Sequence, residues 1–130
     1  MSNYLMDTDI VIEYLKNNKN VVNRLLQANI NGEKVFINGI VYYEIKRGLL
    51  PSQSAKFGSL QNANMIIWLD KQNIFDEASI IYANLKQNNQ LIGDADILIA
   101  ATAKVNNLVV VTNNLKHFRR INGIQIDNWI

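Results

Sequence analysis

Cysteine is absent from the 130 residues, histidine and proline occur once each, and only 18% of the chain is charged. The missing cysteines exclude disulfide scaffolds, thiol nucleophiles and thiolate-held structural zinc. The single histidine, His117, excludes a His-rich metal site. Pro51 alone offers no linker, and no internal repeat or long low-complexity segment divides the chain. Neither a signal peptide nor an apolar run of about 20 residues is visible, so a cytoplasmic location is expected. The net charge of +2 permits a nucleic-acid partner without demanding one.

What the chain does have is apolar content, 48% of its residues, enough to predict a packed core. Its length predicts a single domain over residues 1–130 that buries about two-thirds of its unfolded surface. Asparagine is frequent, twenty in all, with pairs at Asn17-Asn18, Asn88-Asn89 and Asn106-Asn107. Those pairs sit where loops and helix ends are expected and read as punctuation.

Residues 3–7 read as a strand, followed by helices over about 9–16 and 19–28. "EKVFING", residues 33–39, reads as a second strand, and a helix follows over about 40–50, ending near Gly48 or Pro51. Residues 54–72 read as a weaker helical region, broken near Gly58 or Asn62. Ala78, Ile81, Tyr82 and Leu85 recur at helical spacing within 76–88. "GDADILIAATAKVNN", residues 93–107, reads as a buried helix beginning at its aspartates. "LVVV", residues 108–111, is a strand, and "GIQI" a last short one. Strands alternating with helices predict a three-layer α/β/α sandwich with a short, mainly parallel sheet of four or five strands. In such folds the site opens at the carboxyl ends of the strands, where Asp7 and Thr112 fall.

Four acids deserve chemical scrutiny. Glu44 stands in a helical stripe with Val41, Ile45, Gly48 and Leu49, where an unpaired carboxylate carries a large desolvation cost. A metal, a cationic partner or a cleft explains it; so does a boundary glutamate paired with Lys46 or Arg47. Asp94 suits an N-cap and Asp96 the first helical turn, where free amides favour negative charge. That accounts less well for Asp96 ahead of the all-round apolar "ILIAATA". Asp9 reads as a cap or supporting group. Gathered in one cleft, Asp7, Glu44, Asp94 and Asp96 repel unless something positive intervenes. Oxygen donors without thiolates point to Mg²⁺ or Mn²⁺, and thence to metal-assisted phosphoester hydrolysis.

"YLMDTDIVIEYL", the glutamate in "VYYEIKRGL", "GDADILIAATA" and "LVVVTNNLKHF" together, in that order, resemble the PIN-domain ribonucleases, especially the VapC toxins of toxin–antitoxin pairs. The resemblance covers nearly the whole chain, and its specificity lies in order and spacing, since each motif alone is weak. It implies Asp7, Glu44 and Asp96 as the metal-binding acids, with Asp94 as an additional one. It further implies an α/β/α sandwich, a homodimer, RNA cleavage with Mg²⁺ or Mn²⁺, and a cognate antitoxin that covers the cleft. The departure is "TNN": many relatives carry an aspartate where this chain has Asn114, which can offer a carbonyl but no charge. Thr112 and Asn113 suit orienting a ligand acid or phosphate, or equally a turn.

Lys46, Arg47, Lys116, Arg119 and Arg120 are candidate phosphate contacts, with ordinary surface solubility as the alternative. Tyr42, Tyr43, Leu49, Phe57, Met65 and Trp68 are candidate anchors for a partner, with core packing as theirs. Two other functions fit parts of the pattern. One is a catalytically weak RNA- or partner-binding domain of the same fold. The other is a haloacid-dehalogenase-like phosphatase, whose strand–Asp–x–Asp signature Asp7 and Asp9 imitate while leaving Glu44 unexplained.

Overall fold

A computed structural model describes residues 1–62 and 65–130, with 61 and 62 in backbone only. Five strands form one sheet: β1 (Tyr4–Met6), β2 (Val35–Asn38), β3 (Ile66–Ile67), β4 (Val109–Val111) and β5 (Gln125–Asp127). Their spatial order is β3-β2-β1-β4-β5, and every pairing is parallel. Parallel strands need crossovers, and the helices supply them: α1 (Thr8–Leu15), α2 (Lys19–Ile30), α3 (Gly39–Gly48), α4 (Ser54–Asn62), α5 (Gln72–Gln87), α6 (Asp94–Asn106) and α7 (Leu115–Phe118). The sheet flanked by helices is the expected α/β/α architecture, and the all-parallel sheet sharpens "mainly parallel".

β1 and β4 lie at the centre, fully buried, with Tyr4, Leu5 and Met6 opposite Val109, Val110 and Val111. Burial on both faces accounts for the unbroken apolar runs, which lack a two-residue alternation. Against this centre packs α6, whose Ile99, Ala100, Ala101 and Ala103 are fully buried; the small side chains permit close approach. The chain leaves β1 towards β2 on one side and returns to β4 on the other. The two strands therefore border a topological switch point, where the loops diverge and leave a crevice.

The asparagines act as punctuation. Asn17, Asn89 and Asn107 adopt left-handed backbone at the ends of α1, α5 and α6 (φ 63, 55 and 55°), a conformation asparagine tolerates better than most residues. Asn18 and Asn38 cap the starts of α2 and α3. Asn38 is fully buried: its Oδ1 accepts the Val41 amide (3.0 Å) and its Nδ2 donates to Thr102 Oγ1 (3.1 Å). This pair fastens the start of α3 to the middle of α6.

The weak helical expectation over 54–72 divides into a 3₁₀ turn at Pro51–Gln53, α4, and strand β3. The part of it over residues 63 and 64 lies outside the described residues. Gly58 does not break the helix. No helix among the described residues is long and apolar enough to cross a membrane.

Candidate active site

Asp7 follows β1 directly and is the N-cap of α1. Its Oδ1 accepts the Thr8 amide at 2.7 Å and its Oδ2 accepts Thr112 Oγ1 at 2.8 Å. Thr112 directly follows β4, so the side-chain bond closes the two central strands at the switch point. The same hydroxyl oxygen accepts the Asn114 amide at 2.9 Å, shaping the turn. Of the two readings of Asp9, cap or supporting group, the first is corrected: the cap is Asp7. Asp9 reaches across the mouth, its Oδ2 accepting the Asn113 amide at 3.0 Å. Its Oδ1 is buried and makes no hydrogen bond. Asn113 Oδ1 in turn accepts Asn128 Nδ2 at 3.1 Å, drawing in the segment after β5.

Glu44 enters from α3. Thr8 Oγ1 donates to its Oε1 at 2.7 Å, while Arg47 Nη2 stands 3.8 Å from its Oε2. Thr8 therefore holds Glu44 through its hydroxyl and Asp7 through its amide. The pairing alternative for Glu44 is realised: it is half-buried and pairs with Arg47 as well as with Thr8.

Asp96, in the first turn of α6, lies 3.2 Å from His117 Nδ1 through its Oδ2. The same ring nitrogen lies 2.8 Å from Asn114 Nδ2. One nitrogen cannot accept from the amide and donate to the carboxylate together. A protonated Nδ1 satisfies Asp96 with the Asn114 amide turned about, whereas a bare Nδ1 satisfies Asn114 alone. From sequence His117 reads as a loop or core residue, with stacking on RNA as the alternative; the structure sets it beside Asp96 and Asn114. Its distance of three residues from Asn114, one turn of α7, was the available signal.

The electrostatics join these acids. The Asp7 carboxyl pKa is raised to about 7, by burial first and the Asp9 charge next, with Asp96 adding a little and the Thr112 and Thr8 hydrogen bonds opposing. Burial also raises Asp9, countered mainly by the Asn113 amide, with Asp96 again raising it. Asp94 does not match its expected capping role. Gly93 is the N-cap of α6, and Asp94 is its exposed first residue, without a side-chain cap bond.

Among the described residues no three acidic or imidazole side chains are drawn tightly enough together to enclose a metal ion. The expected convergence of Asp7, Glu44 and Asp96 is therefore looser than direct shared coordination. Two observations nevertheless fit a divalent cation: the unpartnered buried Oδ1 of Asp9, and a buried Asp7 that its acidic neighbours repel. The donors are all oxygens. An open arrangement suits a hard ion that keeps several waters and takes one or two carboxylates.

Of the basic candidates, Lys46, Arg47, Lys116 and Arg119 are exposed. Arg120 instead directs Nη1 at the Gln90 and Leu91 carbonyls (3.4 and 3.3 Å) ahead of α6. Of the candidate anchors Phe57 is buried, Tyr42, Leu49 and Met65 half-buried, and Tyr43 and Trp68 exposed.

Residues 4–124 match the family model described as "PIN domain". The chain is 29% identical over 137 residues to ribonuclease VapC2 of Haemophilus influenzae, covering all of both chains. It is 30% identical over 133 residues to the tRNA(fMet)-specific endonuclease VapC of Salmonella typhimurium, covering 99% of each. Its fold is similar to the crystal structure of VapBC2 from Rickettsia felis bound to a promoter DNA fragment, with a TM-score of 0.82, 26% identity and 98% of each chain covered. It is also similar to DNA-bound VapBC from Salmonella typhimurium, with a TM-score of 0.81, 27% identity and all of both chains covered.

Proposed function

The chain belongs to the PIN-domain family, and on that premise we propose that it is the endoribonuclease toxin of a toxin–antitoxin pair, hydrolysing RNA phosphodiester bonds with a divalent cation, Mg²⁺ or Mn²⁺. The carrying observation is Asp7, a buried carboxylate set at the switch point under the charges of Asp9 and Asp96. Residues 1–130 act as one nuclease domain. Its full-length likeness to VapC ribonucleases, whose relatives in crystals are VapBC complexes, supports an antitoxin partner. A homodimer and a cytoplasmic setting complete the reading.

Asp7, Asp96 and Glu44 would hold the cation, with Asp94 assisting. Bound there, it supplies a Lewis acid for water activation and for the charge on the transferring phosphoryl group. The protein's own residues prepare that position. Thr112 and Thr8 fix Asp7 through both oxygens, Thr8 fixes Glu44, and His117 fixes Asp96 when its Nδ1 carries the proton. Asp9 Oδ1 presents a free acceptor for a water beside them. Asn114 brings no charge, so the negative donors belong to α1, α3 and α6.

The test is incubation of the purified, antitoxin-free protein with total RNA and Mg²⁺ or Mn²⁺, followed by mapping of cut ends. Discrete metal-dependent cuts are expected, lost on Asp96→Asn. A folded, metal-supplied protein that cuts nothing across a broad RNA pool moves the catalytically weak binding domain ahead. The phosphatase alternative loses its footing with Glu44, which is hydrogen-bonded beside Asp7.

His117→Ala isolates the orientation of Asp96. Removal of a group that orients a metal ligand costs about 10-fold to 100-fold in affinity. Mn²⁺ titration by calorimetry should therefore weaken by at least about 10-fold, with the melting temperature of the metal-free protein little changed. Wild-type Mn²⁺ affinity in His117→Ala removes His117 from the site.

A further inference from the structure

α3 turns a second face outward, and two large rings stand open there, Tyr43 on the helix and Trp68 after β3. Tyr43 is 59% exposed and Trp68 50%. Trp68 follows β3 at the carboxyl edge of the sheet and lies against Gly39, where an added Cβ would meet the indole at 3.4 Å. Tyr42 braces it edge-on, ring centroids 5.2 Å apart, and itself packs against Phe57 at 5.7 Å. Tyr43 lies one turn beyond Gly39. The Arg47 guanidinium stands 5.3 Å from the centre of the Tyr43 ring and 3.8 Å from Glu44. A continuous line of contacts thus runs from Asp7 through Thr8, Glu44 and Arg47 to Tyr43, with Trp68 flanking the start of the same helix.

We propose that Tyr43, Arg47 and Trp68 form a platform on which an unpaired nucleobase next to the scissile phosphate stacks, Arg47 and Lys46 contacting the intervening backbone. The proposal rests on the endoribonuclease reading and adds to it the residues that hold the substrate. Aromatic faces and guanidinium planes are the groups that capture splayed bases in single-stranded RNA. Arg47 suits the part because its exposed link to Glu44 is long and therefore weak, leaving it available to a phosphate. Lys46 and Arg47 are both exposed on the last turns of α3, which complements a polyanion. A second copy of the chain is the competing occupant of this face, distinguished by the oligomeric state of the variants.

The test uses Trp68 as its own reporter. The second tryptophan, Trp129, is buried, and Trp129→Phe removes its signal. Uncleavable 2′-O-methyl RNA oligonucleotides are titrated without metal: single-stranded, fully duplexed, and single-stranded with one abasic position scanned along the strand. Trp68 fluorescence should be quenched by the single strand and much less by the duplex, and one abasic position should abolish most of the quenching. Tyr43→Ala and Trp68→Leu, checked for an unchanged melting temperature, should each weaken single-strand binding by about 10-fold. In metal-dependent cleavage the loss should fall chiefly on KM. Equal quenching by intact, abasic and duplex RNA overturns the platform, even if cleavage is normal. Quenching with the expected pattern but no cleavage upholds the platform and rejects the nuclease reading. Substitutions that dissolve a dimer in sedimentation while leaving RNA affinity unchanged assign the face to a second copy and overturn the proposal.

Discussion

Replacing Asp7 with asparagine is expected to stop RNA cleavage and, in the same molecule, to stabilise the metal-free protein. Its carboxyl is raised to about 7, by burial first and the Asp9 charge second, against about 3.9 in an unfolded chain. The native state then binds more protons than the unfolded state between those values. Unfolding free energy therefore falls as pH rises from about 4 to about 7 and stays low above. About three units correspond to roughly 4 kcal/mol at most. Asparagine escapes this cost without losing the geometry. Its Oδ1 still accepts the Thr8 amide, and its Nδ2 can donate to Thr112 Oγ1 once that hydroxyl turns.

Denaturation in EDTA at pH 5 and pH 8 reads the effect. The Asp7→Asn protein should gain a few kcal/mol at pH 8, with a flatter dependence between the two pH values. Burial raises Asp9 in the same direction, so part of the slope remains. Cleavage should fall by about 100-fold or more, since a ligand is lost where loss of an orienting neighbour alone costs up to about 100-fold. Mn²⁺ should raise the wild-type melting temperature by linkage and the variant's far less. A variant less stable than wild type at pH 8 removes the electrostatic account of Asp7.

The largest purely structural effect is expected at Asn38. Asn38→Ala removes the cap of α3, leaves the buried Val41 amide without an acceptor and breaks the bond to Thr102. Loss of a cap costs about 0.5–2 kcal/mol, and a buried unsatisfied donor about 1–3. The two describe the same lost bond and do not add, so about 2 kcal/mol is expected, read by urea denaturation. Thr102→Ala should cost less, because the cap of α3 stays intact even though the bonds to Asn38 Nδ2 and the Leu98 carbonyl are lost. A double-mutant cycle should give coupling above about 0.5 kcal/mol. Since α3 carries Glu44 and α6 carries Asp96, Asn38→Ala should also weaken Mn²⁺ binding. Additive single effects with unchanged metal affinity contradict this linkage.

The central architecture was legible because its signals are local. Apolar runs marked β1, β2 and β4, the aspartates announced α6, and the position of Asp7 and Thr112 at strand ends identified the mouth. β3 was missed because two residues, Ile66–Ile67, continue the apolar spacing of Phe57 and Leu60 and so resemble more helix. α7 was missed because it has a single turn. The Asn38–Thr102 bond joins residues 64 apart and the Asp96–His117 contact residues 21 apart; neither residue signals its partner in the linear chain. The Asp9 contact was hidden for the same reason, as its partner is the Asn113 amide, 104 residues away. Asp94 was misplaced by one residue, enough to turn a cap into a first-turn surface acid.

The pairing of β1 with β4 also sets when the active mouth can exist. Asp7 and Thr112 are separated by 105 residues, and β1 lies between strands that emerge before and after most of that interval. On a ribosome adding about 5–20 residues per second, roughly 5 to 20 seconds pass between synthesis of the first acid and of its hydroxyl partner. Throughout that time β1 has no neighbour on one side, and Asp7 lacks Thr112 and Asp96 lacks His117. The long-range closure belongs to the slow class of folding events, because loop entropy must be overcome before the contacts form. A growing chain therefore lacks the Asp7–Thr112 and Asp96–His117 contacts until β4 and α7 have left the exit tunnel.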